Sequence, residues 1–214
     1  AAHVIDASGT WYTPNPVGAS GLVGKGEAAL RDAGLLVYGM PDVLGESREQ
    51  YAGRRTLVVG AGHSAAGVLL DLSTLRDQVP STSPIWALRR PTPARAYGGL
   101  SKDALVGRGN IGRGLKARVE AHAIEVVVGA RVSSLEQTAC GEVEVGLVQG
   151  STTRKLLVDR VVCCTGQRPD LSVTRELRVD LDPWLEAPRS LAPLIDPNVH
   201  SCGTVPPHGV LELA

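Results

Sequence analysis

Thr56-Leu57-Val58-Val59-Gly60-Ala61-Gly62-His63-Ser64-Ala65-Ala66-Gly67 is a short apolar run that breaks into a glycine turn. Leu57, Val58 and Val59 show no polar alternation, the pattern of a strand covered on both faces. Past the turn, Val68, Leu69, Leu72 and Leu75 recur at helical spacing, which predicts a helix over Ser64–Asp77 that Pro80 stops. A buried strand, a tight turn and an immediate helix make the first half of a βαβ unit, so the chain reads as α/β.

The turn has the form G-x-G-x-x-A, and its positions have distinct tasks. Gly60 lets the chain reverse after the strand. Gly62, without a side chain, leaves room for a diphosphate to approach the backbone, and Ala65 keeps the helix close to the sheet. Free N–H groups at the helix start face the anion. Ala61, His63 and Ser64 fill the intervening positions, so the candidate dinucleotide-binding set at the turn is Gly60, Ala61, Gly62, His63, Ser64 and Ala65. The other reading is a glycine turn with no ligand, in which His63 simply faces solvent.

Ser83-Pro84-Ile85-Trp86-Ala87-Leu88 reads as the second parallel strand, and Arg89, Arg90 and Arg95 follow it. In such a unit the end of the second strand meets the adenosine ribose, where an acid binds the 2′-hydroxyl of NAD and arginine suits the 2′-phosphate of NADP. No acid is near, so charge and the forked guanidinium favour NADPH. A solvated basic loop is the alternative.

Farther on, Gly107-Arg108-Gly109-Asn110-Ile111-Gly112-Arg113-Gly114 also fits G-x-G-x-x-G, but no strand precedes it. It is expected to form a flexible entry to a helix over 113–122, with Arg108 and Arg113 available to phosphate. Ile124–Val128 reads as a third strand. Residues 130–158 alternate through Val132, Leu135, Val143, Val145, Leu147, Leu156 and Val158, predicting an antiparallel meander with turns at Ala139-Cys140-Gly141 and Gly150-Ser151. Val161-Val162-Cys163-Cys164 then returns to the parallel sheet, and the unit closes after Thr165-Gly166.

Composition adds bounds. The 214 residues are 43% hydrophobic with Lys+Arg and Asp+Glu at 22 each, enough apolar material for one large or two small domains and no net charge to suggest nucleic-acid binding. No run approaches a membrane span of roughly 18 residues, and a cytoplasmic location is the default expectation. Cys140, Cys163, Cys164 and Cys202 form no C-x-x-C and have no histidine at metal-ligand spacing, so they read as reduced thiols with no metal. His3, His122 and His200 read as structural, and Asp6 and Asp170 as caps or strand ends.

The flanks read differently. Val4-Ile5-Asp6-Ala7-Ser8-Gly9-Thr10 resembles the last strand of a domain, and it echoes Val161-Val162-Cys163-Cys164-Thr165-Gly166-Gln167, so the chain is expected to be a fragment. Residues 11–53, with Pro14, Pro16, Pro41 and eight glycines, read as a loop-rich connector holding a short helical pattern at Lys25–Asp32 and an apolar run at Leu35–Val37.

These residues together resemble the two-dinucleotide-domain flavoproteins, the thioredoxin reductase-like pyridine nucleotide oxidoreductases and flavin-containing monooxygenases. Gly60, Gly62, Ser64, Ala65, Arg89, Arg90 and Arg95 match the family's G-x-G-x-S-A turn and NADPH arginines. Ala7-Ser8-Gly9 and Cys164-Thr165-Gly166 resemble the A-T-G segments that join the domains. Pro197-Asn198-Val199-His200-Ser201-Cys202-Gly203-Thr204 resembles the stretch that returns to FAD, and His208 falls near the flavin's rim.

The resemblance implies a Rossmann-like NADP-binding domain over residues 54–166, three-layered with a parallel sheet and an antiparallel meander. Segments of a FAD-binding domain flank it at 1–53 and 167–214. It implies NADPH and FAD as cofactors, with Thr165, Gly166, Gly203 and Thr204 joining the cofactor set and no catalytic residue assigned. NADPH would reduce the flavin and the flavin an acceptor, either a small molecule or a protein, with no nucleic acid or membrane partner; a homodimer is compatible. Four departures stand. Thr204 replaces the usual aspartate, C-x-x-C is absent, Tyr51-Ala52-Gly53 stands where F-x-G-x-x-x-H would be sought, and the family's first G-x-G-x-x-G would lie before Ala1. A monooxygenase of a small organic substrate and a nucleotide-binding module without turnover are the alternatives.

Overall fold

The computed structural model describes residue 7 and residues 9–18, 20–103, 105–196 and 199. The chain divides into two compact units, Asn15–Gly166 and a second drawn from Ala1–Pro14 and Gln167–Ala214. In the first, helix α1 (Glu27–Asp32), strand β1 (Leu36–Tyr38) and a short α2 (Arg48–Tyr51) lead to β2 (Arg55–Val59), α3 (His63–Gln78) and β3 (Ser83–Ala87). Helix α4 (Val106–Glu120) and β4 (Glu125–Val127) follow. The strands β5 (Ala130–Gln137), β6 (Val143–Gln149) and β7 (Thr152–Val158) come next, and β8 (Arg160–Cys163) closes the unit.

Five strands form one sheet in the order β1-β8-β2-β3-β4, with every neighbouring pair parallel. The remaining three form an antiparallel sheet in sequence order. The apolar run of β2 is unbroken because both of its faces are covered. In register across the sheet, Leu57 pairs with Ile85 and Val161, and this row packs on Val132, Val145 and Leu147 of the meander. One residue on, Val58 pairs with Trp86 and Val162, and this row packs on Val68, Leu69, Leu72 and Leu75 of α3 and on Leu115 of α4. The fold is therefore the expected α/β one, a Rossmann-like parallel sheet between a helical layer and a meander. Each fully buried leucine of α3 contributes about 2 kcal/mol.

Two expectations change. Residues 11–53 do more than connect, because β1 pairs with β8 at the edge of the parallel sheet. Glu27, 1% exposed on α1, accepts hydrogen bonds from the backbone N–H of Val17 at 2.7 Å and of Gly24 at 2.5 Å, and from the Tyr38 hydroxyl. A buried carboxylate with three donors is satisfied rather than strained, and it ties the preceding loop to the sheet.

The second change concerns Gly107–Gly114, which is not a flexible entry but part of α4 itself. Two 3-10 turns, Ala94–Tyr97 and Leu100–Lys102, lie directly on this helix. A Cβ at Gly112 would stand 2.9 Å from the carbonyl carbon of Tyr97 and nearer still to its oxygen, and one at Gly109 would press the Leu100 carbonyl in the same way. Close backbone packing explains glycines that cost a helix about 1 kcal/mol each.

In the smaller unit, the Thr10 hydroxyl donates to Gln167 Oε1 at 2.9 Å, and Pro14 bridges to Gln167. Asp170 caps a 3-10 turn, Leu171–Thr174, by accepting from Ser172 N–H at 3.0 Å. A short helix α5 spans Ala192–Ile195. The strand expected at Val4–Asp6, together with His3, His200, Cys202, Gly203, Thr204 and His208, lies outside the described residues. Among the described residues no helix is long and apolar enough to cross a membrane.

Candidate functional site

All five strands of the large sheet run the same way, so the loops leaving β1, β2, β3 and β8 share one edge. The chain leaves β2 toward β3 on one side and returns through β8 on the other. That reversal of direction at β2 is the topological switch point at which open α/β sheets bind ligands.

The two glycines of the turn prove to have different reasons. Gly60 adopts φ 142° and sits against the exit of β8, where a Cβ would meet Cys164 at 2.8 Å from its carbonyl carbon. Its N–H donates to Ala87 O at 3.2 Å, and its carbonyl accepts from the Trp86 indole Nε1 at 2.6 Å. Gly60 is thus fixed by the protein itself. Gly62 has ordinary extended backbone, φ −91° and ψ −178°, and a Cβ there would meet no atom of the described residues within 4 Å. Its missing side chain leaves open space at the start of α3.

That helix start has no side-chain cap and no acidic residue in its first turn. A helix of 16 residues that starts this way leaves its first N–H groups and positive dipole end without a side-chain cap among the described residues, the physical requirement for an anion site. Ala61, His63 and Ser64 are exposed beside it, whereas Ala65 is fully buried against the sheet as its small size requires.

At the end of β3, Arg89, Arg90 and Arg95 are all exposed, and none takes part in the ion pairs found among the described residues. The loop leaving β3 is held by Gly129 N–H donating to Arg90 O at 2.8 Å. Arg108, by contrast, is committed elsewhere. Its Nε donates to both carboxylate oxygens of Asp103, at 2.9 and 3.0 Å, and the ion pair closes at 2.7 Å. This guanidinium holds the Asp103 carboxyl down at about 2. Arg113 donates to the Asn110 side chain. The two α4 arginines expected near phosphate are therefore tied to partners on or beside their own helix.

Thr165 and Gly166 follow β8 on the same edge, held by a residue distant in sequence, Asn15. Its carbonyl accepts from Thr165 Oγ1 at 2.5 Å, its side-chain amide donates to Thr165 O at 3.3 Å, and its N–H donates to Gly166 O at 2.9 Å. Placement between Pro14 and Pro16 is the only sequence signal this residue carries.

The thiols of Cys163 and Cys164 are held protonated by their burial. Burial pushes Cys164 up to about 12 and Cys163 well above the ordinary thiol value, while its Coulomb neighbour Glu27 adds to the latter. Cys164 Sγ donates to Gly39 O at 3.3 Å. Cys140 is exposed and free. No group of acidic, histidine or cysteine residues among the described ones has metal-binding geometry. A cleft of about 640 Å³ lies at the opposite edge, at the starts of β3 and β4, lined in part by Arg76, Thr82, His122 and Glu125, and contains none of the predicted site residues.

No family model matches the sequence, and no curated protein matches it either. Solved structures do. The bacillithiol disulfide reductase of Bacillus cereus superposes with a TM-score of 0.58 at 18% identity, over 84% of this chain and 45% of that one. The cadaverine monooxygenase of desferrioxamine biosynthesis from Erwinia amylovora, bound to FAD, gives 0.50 at 18% identity over 70% of this chain and 44% of that one. The chain thus spans less than half the length of either. At this identity the likeness establishes the fold.

Proposed function

We propose that this chain is the NADPH-binding portion of an FAD-dependent oxidoreductase. The observation that carries the reading is Gly62, a glycine needed neither by its backbone angles nor by any neighbour among the described residues, at the uncapped start of α3. A vacancy at a helix N-terminus on the switch point fits a diphosphate. Exposed arginines at the end of the next strand, outside the ion pairs found among the described residues, fit the 2′-phosphate that distinguishes NADPH.

Gly60, Ala61, Gly62, His63, Ser64 and Ala65 would hold the diphosphate, with Arg89, Arg90 and Arg95 on the ribose phosphate. Thr165, Gly166, Gly203 and Thr204 would complete the cofactor-binding set. When bound, the two cofactors supply hydride transfer from nicotinamide to flavin and onward to an acceptor. The protein's part is to bind and orient them. That part needs rigid backbone more than reactive side chains, in keeping with the buried, strongly raised thiols of Cys163 and Cys164. The flavin-bound Erwinia monooxygenase of like fold supports a flavin enzyme; its acceptor would be a small molecule or a protein.

Gly62→Val tests the reading. Extended backbone and empty surroundings accept valine, so the melting temperature should stay within about 2 °C while NADPH affinity falls at least about a hundredfold. Titration showing unchanged affinity would remove the turn from nucleotide binding.

A further inference from the structure

At Gly109 and Gly112 the segment carrying the three arginines lays its backbone carbonyls directly on α4. From Arg89 to Asp103 the chain makes its two 3-10 turns, and Arg95 lies in the first of them. Gly112 and Gly109 are buried beneath these turns, each facing a backbone carbonyl, of Tyr97 and Leu100 respectively. Backbone cannot rotate aside as a side-chain tip can, so any Cβ at these positions must lift the segment bodily. From the other side, the Asp103 carboxylate grips Arg108 and accepts from Leu105 N–H at 3.0 Å. The Tyr97 ring lies against Trp86, centroids 6.4 Å apart.

Other glycines of the same helix show that this is a matter of position. Among the described residues, Gly107 has nothing within 4 Å of its would-be Cβ, and Gly114 faces the flexible tip of Leu70, at 3.3 Å. Two of the four glycines in α4 are therefore required by the backbone laid upon them. They set the height of Arg95 above the helix and anchor the loop that begins with Arg89 and Arg90.

We propose that Gly109 and Gly112 determine selectivity for the phosphorylated nucleotide by seating the arginine-bearing segment, an inference that rests on the NADPH reading above. They are positioning residues, since neither reaches the ligand. The diphosphate turn after β2 is not part of this contact, so the two nucleotides should respond differently when it is disturbed.

The test measures Kd for NADPH and for NADH on the full 214-residue chain and its variants. Gly112→Ala should weaken NADPH about tenfold while leaving NADH within about twofold, because only the phosphate contact is displaced. Gly107→Ala should change neither. A folded Gly112→Ala protein with an unchanged NADPH-to-NADH ratio overturns the proposal. Should Gly112→Ala fail to fold by circular dichroism, Asp103→Asn loosens the same segment by weakening its ion pair with Arg108 of α4 while leaving both glycines in place, and the same fall in ratio is expected; no fall overturns it. If the unaltered chain shows no preference for NADPH, the NADPH reading fails and takes this proposal with it. If the preference exists and is lost on Arg89→Ala with Arg90→Ala, yet survives both Gly112→Ala and Asp103→Asn, the seating proposal alone falls.

Discussion

The indole Nε1 of Trp86 donates to the carbonyl oxygen of Gly60 at 2.6 Å, joining the core of β3 to the turn that leaves β2. Trp86 is fully buried, and its ring faces Tyr97. One side chain therefore braces the diphosphate turn and touches the segment that bears the arginines.

Trp86→Phe keeps an aromatic ring in place but leaves the Gly60 carbonyl without this donor and opens a small cavity. Together these should cost about 2–4 kcal/mol of stability, read by urea denaturation. Because the disturbed element is the turn, NADPH and NADH should both bind several-fold less tightly. Unchanged NADH affinity in a folded variant would show that the indole supports packing only.

The alkaline limit of stability should be set by buried groups that keep their protons. Burial pushes the Tyr51 hydroxyl from its ordinary 10.0 to about 12, and Cys164 from 9.0 to about 12. Between about pH 9 and 12 the folded chain thus binds more protons than the unfolded one, so stability is fully present below that window and is lost as pH rises through it. Tyr51→Phe should reduce the slope between pH 10 and 12 by up to about 1.4 kcal/mol per pH unit. Urea titrations at pH 8, 10 and 11 decide this, and a slope as steep as that of the unaltered chain counts against Tyr51.

What could be read from the chain beforehand was what short-range rules dictate. The unbroken run Leu57–Val59 announced a strand covered on both faces, and the alternation from Val132 to Val158 announced a meander, since each pattern follows from the burial of its own residues. The three-residue strand β1 carried too little sequence to declare its pairing with β8. The glycines of α4 form the kind of run that usually signals a loop. Here their reason lies in the carbonyls of Tyr97 and Leu100, residues outside the helix whose position no periodicity encodes. Within the site, Gly60 and Gly62 looked equivalent as letters. Only the closeness of Cys164 to one and the empty space around the other separate structural need from ligand need. Trp86, Asn15 and Asp103 act through contacts that sequence spacing does not report.

The arginines after β3 give the most direct discrimination. Arg89 and Arg90 are exposed and take no part in the ion pairs among the described residues, so removing them should leave the fold intact. Arg89→Ala with Arg90→Ala should weaken NADPH binding by about 2–4 kcal/mol, the loss of two charge-assisted contacts, while NADH stays nearly unaffected. Salt should matter as well, because exposed contacts to a phosphate are screened. Raising ionic strength from about 0.01 to 0.15 M should erode the NADPH advantage of the unaltered chain and leave the double variant almost indifferent. Calorimetric titration with both nucleotides measures both effects, and equal losses for NADPH and NADH would place these arginines outside the nucleotide site.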